Sequence, residues 1–426
     1  MDKMIKLIKN ADLYAPQHVG LRDILICGGK IARIDETIAG YEDLPDVDVY
    51  DARGCIVAPG LIDMHVHITG GGGEQGPTSR VPEINLSELL GNGVTTCVGL
   101  LGTDGTTRSL ENLLSKCKAL NEEGMTCYML TGSYQYPTQT LMGSVIRDIM
   151  LIDECIGTKV AISDHRASNL TCDELIRLAS DTRMGGLLSG KAGVLCMHMG
   201  SGANMLNDVF YALDHTEIPV TTFLPTHMGR NIPLVSQGIR LTELGGTIDI
   251  TASDPAISDH SASEKIAYCL RSGADPERIT ISSDGCGSQP RFNEKGECVG
   301  LDYTSPKVLL IELKNCVFKE EIPLETALGF LTANPARVIG KAGVKGFVTQ
   351  LYDPADYDLI LLCGPTPMMK NAAAGAAAAG VKCLASLEGK MACGIGACLG
   401  CTCKTTRGEA VSICKNGPVF DAKEVF

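Results

Sequence analysis

The sequence predicts an α/β protein built around a (β/α)8 barrel, with a small β-sandwich before it and a separate tail after it. Between about residues 56 and 340, short apolar segments alternate with segments of helical periodicity, as in successive β/α units. Polar side chains that can do chemistry follow several of these segments, where the active sites of such barrels lie. The composition changes near residue 343. We therefore expect a β-sandwich at 1–58, a barrel at 59–341 and a tail at 343–426.

Composition limits the classes of function. The chain has 426 residues, of which 44% are hydrophobic, and a formal net charge of −13. Lys and Arg form no dense run, which argues against nucleic acid or an anionic membrane as partner. The first residues lack the apolar core of a secretion signal, and no segment is apolar enough to span a bilayer. We expect a cytoplasmic protein, where its 19 cysteines favour metal or cluster chemistry over disulfides.

The predicted elements follow from short apolar segments separated by turn residues. Before residue 58 such segments lie at 5–8, 23–26, 31–34 and 56–58, with a turn at Gly28 and Gly29. Further strands are predicted at 94–100, 127–130, 160–162, 193–196, 248–250 and 279–281, with a helix at about 109–123. Single cysteines in apolar contexts, such as Cys97, Cys127 and Cys196, are expected to be unreactive core residues.

The most informative segment is the predicted strand that ends in His65 and His67. Side chains at i and i+2 of a strand point to the same side, so the two imidazoles can bind one metal ion. Four further candidates lie at the ends of later strands: Lys159 at the start of one, and His198, His227 and Asp284 where others finish. Taken singly, each is more simply explained as a core, surface or helix-capping residue. Their joint position at successive strand ends predicts a metal centre.

Long ordered motifs over residues 1 to about 340 resemble the isoaspartyl dipeptidases (β-aspartyl peptidases) of the amidohydrolase superfamily. The motifs are PGLIDMHVHITGGGGEQGP, CVGLLGTDGTTR, ALNEEG, MLTGSY, CIGTKVAISDHR, MHMG, LPTHMGRN, GGTIDIT and SSDGCGSQP. The resemblance implies a metallo-dependent hydrolase barrel that cleaves β-aspartyl dipeptides. It also suggests a large homo-oligomer.

The resemblance further implies two zinc ions about 3.5–4 Å apart. His65, His67 and Asp284 would hold the first ion, and His198 and His227 the second. Lys159 would be carbamylated by CO2 and would bridge the pair, because an ammonium group cannot bind zinc whereas a carbamate offers two anionic oxygens. A carbamate forms from the neutral amine, so a lysine with a lowered pKa suits this position.

Catalytic and substrate-binding residues are also implied by the resemblance. A hydroxide bridging the two ions would attack the side-chain amide carbonyl, Asp284 would move the proton to the leaving amine, and Tyr134 would donate to the oxyanion.

Glu74 would bind the α-amino group, and glycines 70–73, Gly72 among them, would let the backbone approach the substrate. Carboxylates of the dipeptide would be bound by Arg166, Arg230 and Ser288, with a further contact from Thr103. Taken without the resemblance, the arginines would be inter-loop ion pairs and Glu74 an acidic residue at a helix start.

The tail contains a second cysteine pattern. Cys393, Cys398, Cys401 and Cys414 have the spacing of a plant-type [2Fe–2S] site, with glycines between them. A zinc site is the alternative, although such sites more often show paired C-x2-C motifs. Residues 343–426 resemble the carboxyl end of the electron-transfer subunit of dihydroorotate dehydrogenase, which implies an iron–sulfur cluster and a flavoprotein partner.

Both resemblances cover only part of their families, which indicates a gene fusion near residue 341. The regions that bind FAD and NADH in the electron-transfer family have no counterpart, so neither cofactor is expected and the flavoprotein partner is doubtful. The closing strands of the dipeptidase sandwich are also missing, which leaves an exposed sheet edge. Two alternatives to a dipeptidase remain: an electron-transfer module, and another amidohydrolase such as dihydroorotase.

Overall fold

The computed structural model describes residues 5–253, 261–292, 298–341, 353–363, 366–387, 398 and 401–426. It divides into two compact units, Met1–Ala342 and Gly343–Phe426. The division falls where the composition of the sequence changes. Among the described residues, no helix combines the length and the apolar character needed to cross a bilayer.

The chain begins with a five-stranded mixed sheet. Its strands are β1 (Ile5–Tyr14), β2 (His18–Cys27), β3 (Lys30–Asp35), β4 (Val47–Asp51) and β5 (Ile56–Val57). The order is β3-β2-β1-β4, with β5 also paired to β1; β1, β2 and β3 are antiparallel, whereas β4 and β5 run parallel to β1. Gly28 and Gly29 have φ of 56° and 75°, as a tight hairpin turn requires. The described residues thus contain one sheet of the predicted sandwich.

Eight parallel strands follow and form the barrel. They are β6 (Leu61–Val66), β7 (Val94–Gly99), β8 (Thr126–Gly132), β9 (Cys155–Ile162), β10 (Val194–Met199), β11 (Phe223–Thr226), β12 (Ile248–Thr251) and β13 (Ile279–Ser282). Continuous ladders join β6 through β11 and β12 to β13, and β12 lies against β11. The ring closes where the His67 amide donates to the Gly285 carbonyl at 2.8 Å. The predicted (β/α)8 barrel is confirmed.

A helix follows each of the first seven barrel strands. These are α1 (Leu86–Leu90), α2 (Leu110–Glu122), α3 (Val145–Leu151), α4 (Cys172–Ser189), α5 (Asn207–His215), α6 (Ile232–Glu243) and α7 (Ala262–Arg271). The side chains of Ser109, Ser144, Thr171 and Asn231 cap α2, α3, α4 and α6 by accepting hydrogen bonds from backbone amides. The predicted helix at 109–123 agrees with α2 and its two caps.

The hydrophobic core fills the space between the strands and these helices. It combines strand residues such as Val160 and Ile250 with helix residues such as Leu113, Leu175 and Val235. After β13 come the hairpin β14 (Ser288–Phe292) and β15 (Cys298–Tyr303), then α8 (Val308–Phe318), α9 (Leu324–Gly329) and α10 (Ala333–Val338). Helices therefore pack against the outside of the barrel, and the candidate functional residues lie at the ends of its strands.

The second unit has its own small core. Its elements are β16 (Leu359–Cys363), α11 (Thr366–Ala378), β17 (Lys382–Ser386), β18 (Thr402–Lys404), β19 (Ala410–Ser412), α12 (Ile413–Asn416), β20 (Val419–Asp421) and α13 (Ala422–Val425). β17 pairs in parallel with β16 and antiparallel with β20, and β18 pairs with β19. Ala372, Ala373 and Ala376 of α11 are buried with Ile360 and Leu362. The alanine-rich segment is thus a packed helix.

Candidate metal centre and substrate pocket

Side chains at the carboxyl ends of five barrel strands meet at one point. His65 belongs to β6 and His67 follows it, Lys159 lies in β9, and His198 lies in β10. His227 comes directly after β11, and Asp284 two residues after β13. Because parallel strands end on the same face of a barrel, residues more than 200 positions apart in the sequence become neighbours.

The first group consists of His65, His67 and Asp284. Oδ1 of Asp284 lies 3.4 Å from Nε2 of His65 and 3.1 Å from Nε2 of His67. One ligand atom from each of the three residues lies within 4.8 Å of the others. Nδ1 of His67 and Oδ1 of Asp284 are buried without a hydrogen-bond partner. Buried polar atoms are rarely left unpaired, so this donor set fits a bound cation.

The second group adjoins the first. The ring of His227 lies 4.5 Å from that of His198 and 4.9 Å from that of His65, measured between centroids. Nζ of Lys159 lies 3.3 Å from Nε2 of His65. Nε2 of His227 is buried without a partner, whereas its Nδ1 lies 2.6 Å from the Thr251 hydroxyl. The structure therefore brings all six predicted ligands together, with Nζ of Lys159 beside His65.

Burial sets the protonation of these groups. It lowers the pKa of His65 and His227 well below the usual value and that of His198 to about 3, so the imidazoles are neutral and able to bind a metal. Burial likewise lowers the pKa of Lys159, which favours the neutral amine that reacts with CO2. For Asp284, burial opposes ionisation, but the adjacent His67, together with His65 and Lys159, brings its pKa below the usual value.

Two buried carboxyl groups that the sequence did not point to support the ligands. Asp63 accepts from the His65 amide at 3.2 Å and from the Ser283 amide at 3.1 Å, and burial raises its pKa to about 7. Asp249 accepts from the Thr226 hydroxyl at 2.7 Å, and that hydroxyl lies 3.3 Å from Nδ1 of His65. In the sequence, Asp63 and Asp249 could have been noticed because each is an aspartate inside an otherwise apolar strand. Their hydrogen bonds fix the orientation of His65.

The ligands open into a cavity of about 410 Å³. It is lined by every predicted substrate-binding and catalytic residue: Gly72, Glu74, Thr103, Tyr134, Arg166, Arg230, Asp284 and Ser288. His67 and His198 also line it, so a molecule in the cavity would touch the metal centre. This is the concave, partly polar type of site that binds small molecules.

Glu74 is held at one side of the cavity by two hydroxyl groups. Its Oε1 accepts from Thr103 at 3.1 Å and from Ser288 at 2.7 Å, and it lies 3.6 Å from Nη1 of Arg166. The loop that bears it requires glycine: Gly72 has a φ of 75°, and a Cβ there would lie 2.3 Å from the Ser79 carbonyl oxygen. Glu74 is thus an anion fixed beside a cation.

A buried arginine that the sequence analysis missed fixes the same loop. Arg108 donates to the carbonyls of Gly71 at 2.9 Å and Val81 at 2.8 Å, and also to that of Thr69. In the sequence, Arg108 could have been noticed only by its position immediately before Ser109, the residue that caps α2. These bonds tie the glycine loop to the segment that precedes α2.

Tyr134 connects the cavity to the metal centre. Its hydroxyl lies 2.6 Å from Nδ1 of His198, and its ring lies 5.3 Å from the guanidinium of Arg166. Burial raises the pKa of Tyr134, so the hydroxyl stays protonated and can donate a hydrogen bond. A donor in this position suits a developing negative charge on a substrate oxygen.

Three buried cysteines named in the sequence analysis differ in their surroundings. Sγ of Cys97 lies 3.5 Å from Sγ of Cys127, and both side chains are in the core. Sγ of Cys196, in contrast, lies 3.7 Å from Nζ of Lys159. All three are buried as expected, but Cys196 also contacts a candidate ligand.

Two of the four predicted cluster cysteines are neighbours in the second unit. Cys401 is buried, and its Sγ accepts from the Cys414 amide at 3.4 Å, which lowers the pKa of Cys401. Cys398 is exposed, and Cys393 lies outside the described residues. Amide donors around thiolates are a usual feature of iron–sulfur sites.

Comparison with known proteins assigns a family to each part of the chain. Residues 56–354 match the amidohydrolase family, and residues 388–426 match the iron–sulfur cluster binding domain of dihydroorotate dehydrogenase B. A β-aspartyl dipeptidase from Fervidobacterium islandicum AW-1, solved with β-Asp-Leu, is 44% identical and has a TM-score of 0.73. The match covers 79% of this chain and 87% of that one. A D-hydantoinase at 17% identity and a TM-score of 0.54 shows the same fold.

Parts of the chain also match electron-transfer subunits of dihydroorotate dehydrogenase B. That of Clostridium perfringens is 49% identical over 86 residues, which are 20% of this chain and 35% of the relative. That of Bacillus pumilus is 45% identical over 166 residues, covering 37% of this chain and 62% of the relative. The chain thus spans about a third of the length of the first of these relatives.

Proposed function

This chain belongs to the amidohydrolase family, and on that premise we propose that it hydrolyses β-aspartyl dipeptides at a centre of two zinc ions. One observation supports the substrate above all others. A single cavity of about 410 Å³ places an anionic Glu74 and the cations Arg166 and Arg230 beside the candidate ligands. The dipeptidase solved with β-Asp-Leu, at 44% identity, supports the same substrate class.

The charges of the cavity complement those of a β-aspartyl dipeptide. Such a molecule has one free α-amino group and two carboxylates, and its scissile amide lies on the side chain of the aspartyl residue. Glu74 is suited to bind the ammonium group, since the hydroxyls of Thr103 and Ser288 already hold its carboxylate in place. Arg166 and Arg230 are suited to bind carboxylates, because a guanidinium can donate two parallel hydrogen bonds.

His65, His67 and Asp284 would hold one ion, His198 and His227 the other, and Lys159, once carbamylated, would bridge them. When bound, the ions would lower the pKa of a water molecule towards neutrality and polarise the amide carbonyl. The lowered pKa values of Lys159 and the histidines support this assignment, because each group is then in the neutral form that the chemistry requires.

The remaining steps use side chains of the chain itself. Asp284, whose lowered pKa keeps it ionised, accepts the proton of the attacking water and delivers it to the departing amine. Tyr134 remains protonated and donates a hydrogen bond to the oxygen on which negative charge develops. Glu74 and the two arginines hold the ends of the dipeptide, so that its side-chain amide faces the metal centre.

A metal-dependence assay with a substrate panel tests this proposal. The purified, zinc-loaded chain should cleave β-Asp-Leu, lose the activity on chelation and regain it with zinc. It should leave dihydroorotate and hydantoin intact. Asp284→Asn should reduce kcat by at least about 100-fold, as expected for the loss of the group that transfers the proton. Cleavage of the cyclic amides in place of the dipeptide would instead support a cyclic amidohydrolase.

For the second unit we propose a [2Fe–2S] cluster held by Cys393, Cys398, Cys401 and Cys414. The support is the ferredoxin-type spacing, the family match over 388–426 and the proximity of Cys401 and Cys414. Anaerobically reconstituted protein should show the visible absorbance of such a cluster, and Cys401→Ser should abolish it. Cys403→Ser is the matched control, because Cys403 lies in the same segment but is not one of the four proposed ligands, and this variant should retain the absorbance. A colourless wild-type protein that binds zinc instead would contradict the proposal.

A further inference from the structure

The carboxylate of Asp164 lies between a candidate metal ligand and a candidate substrate-binding residue. We propose that Asp164 is a positioning residue that holds the guanidinium of Arg166 and the imidazole of His198 in one hydrogen-bonded unit. The carboxylate-binding side of the cavity and the metal centre are thereby oriented by the same side chain. This inference rests on the proposed dipeptidase function and assigns a role to a residue outside the predicted site.

Both oxygens of the Asp164 carboxylate are fully used. Oδ1 accepts from the backbone amide of Arg166 at 2.8 Å and from its Nε at 2.9 Å. Oδ2 accepts from Nη2 of Arg166 at 2.9 Å and lies 3.0 Å from Nε2 of His198. The pairing with Arg166 is therefore bidentate, and the same oxygen that completes it also binds the imidazole.

The surroundings of His198 determine which ring nitrogen bears the proton. Nε2 lies 3.1 Å from Nη2 of Arg166 and 3.4 Å from Nη2 of Arg230, and both of these are donors. The two guanidinium donors favour a lone pair on Nε2, whereas Asp164, whose Oδ2 lies 3.0 Å away, can accept from Nε2 and favours the tautomer with the proton there. The lone pair is then on Nδ1, the nitrogen beside the Tyr134 hydroxyl. Asp164 is thus the neighbour whose hydrogen bond would leave Nδ1 of His198 available to a metal ion.

The same carboxylate orients the substrate-facing part of Arg166. Nε and Nη2 are occupied by Asp164, which leaves Nη1 at 3.6 Å from Glu74, on the side of the cavity. The guanidinium plane is fixed by these bonds and by the ring of Tyr134 beneath it. Nη1 can therefore meet a carboxylate without first losing rotational freedom.

The backbone around Asp164 is built to keep the carboxylate in this place. Asp164 follows β9, and its carbonyl accepts from the Ala167 amide at 3.0 Å. Gly200 lies directly against it, since a Cβ at that position would be 2.4 Å from Cα of Asp164. The side chain of Asp164 is 4% exposed. A buried, fully bonded carboxylate has little freedom to reorient, as a positioning role requires.

The test compares Asp164→Asn with Arg166→Met, the double variant and the control Asp148→Asn. An asparagine presents an NH2 group to donors and cannot satisfy both partners. Asp148 is also a buried, hydrogen-bonded aspartate, but it binds Thr131 and the amides of Leu141 and Met142. Each protein is titrated with zinc against a chelator in the absence of substrate. KM and kcat for β-Asp-Leu are then measured at saturating zinc.

Asp164→Asn should weaken zinc binding and raise KM, each by about 10- to 100-fold, with a smaller effect on kcat. Arg166→Met should raise KM and should weaken zinc binding much less than Asp164→Asn does. The double variant should have the KM of Arg166→Met alone, because Asp164 acts on substrate through that arginine. Asp148→Asn should lose thermal stability but keep both zinc affinity and KM.

Two results would overturn the proposal. The first is a zinc affinity and a KM of Asp164→Asn that both lie within about twofold of wild type. The second is a double variant whose rise in KM equals the product of the rises caused by the two single substitutions. A wild-type protein that does not cleave β-Asp-Leu would refute the proposed function. The zinc titration would still decide the pairing of Asp164 with His198, because it needs no substrate.

Discussion

At the scale of single residues, the buried atoms without partners point most directly to the chemistry. Nδ1 of His67, Nε2 of His227 and Oδ1 of Asp284 all lie in the same small region. Leaving such a group unpaired costs roughly 1–3 kcal/mol. Three such groups together are best explained by a ligand that satisfies them all, and nitrogen and carboxylate donors suit a transition-metal ion such as the proposed zinc.

The first prediction follows from that cost: zinc should stabilise the folded chain. At a free zinc concentration 100 times the dissociation constant, the gain is about 2.7 kcal/mol, which should raise the thermal midpoint by several degrees. A chelator should reverse the shift, as calorimetry or circular dichroism would show. The variant His65→Asn/His67→Asn should show a much smaller shift. An equal shift in that variant would place the binding elsewhere.

The second prediction concerns Tyr134. Replacing it by phenylalanine removes a hydrogen-bond donor to the developing oxyanion and should reduce kcat by about 100- to 1000-fold, with little change in KM. Because burial raises the pKa of this phenol above its usual value near 10, the hydroxyl stays protonated below that pH. The alkaline limb of the pH–rate profile below pH 10 should therefore have the same midpoint in Tyr134→Phe. A lost or shifted limb would assign that ionisation to Tyr134.

Some site residues could be predicted from the sequence, and others could not, for a physical reason. The metal ligands could be predicted because each lies in or just after an apolar strand, and strand ends share one face of a barrel. Asp63 and Asp164 were missed because their partners are set by the closed barrel: the hydroxyl of Ser283, 220 positions from Asp63, and the imidazole of His198. Spacing along one segment does not reveal such pairs.

At the scale of elements, strands were easier to place than their exact ends. The predicted strand at 160–162 is the last part of β9, which begins at Cys155 and includes Lys159. The ligand residues His227 and Asp284 have φ of 64° and 52°, a left-handed conformation that periodicity does not predict. Such strain is commonly found at functional sites, and here it marks the ends of β11 and β13.

Helix caps give a prediction that is independent of the site. Thr171 and Glu174 form a capping box at the start of α4, in which each side chain accepts from the other's backbone amide. Thr171→Ala should destabilise the first unit by about 1 kcal/mol, whereas Thr171→Ser should keep the cap. Chemical denaturation measures the difference. Because the cap lies away from the cavity, KM and kcat should not change; a change in KM would show that α4 contributes to substrate binding.

At the scale of the whole molecule, the chain joins two units that each have a core. The barrel core and the cluster around α11 are separate sets of residues, and the contact division falls between Ala342 and Gly343. The N-terminal sheet leaves large apolar side chains exposed, among them Leu21 and Ile31 at 64% and 63%. The exposed sheet edge expected from the missing closing strands concerns unpaired backbone groups, and it stays a prediction.

The barrel itself accounts for the position of the site. Closure between the His67 amide and the Gly285 carbonyl brings the first and last barrel strands together, so His67 and Asp284 meet only when the barrel is complete. Zinc binding should therefore depend on the fully folded barrel, and the site has no counterpart within any single β/α unit.

Whether the chain is specific for β-aspartyl dipeptides is decided by hydrolysis of two isomers that differ only in which carboxyl group forms the amide. The zinc-loaded chain is incubated with β-Asp-Leu and, in parallel, with α-Asp-Leu, and free leucine is measured over time. Because the ends of the dipeptide would be held by Glu74 and the two arginines, we expect cleavage of the β isomer alone. Comparable cleavage of both isomers, or cleavage of neither by folded, zinc-loaded protein, would contradict this expectation.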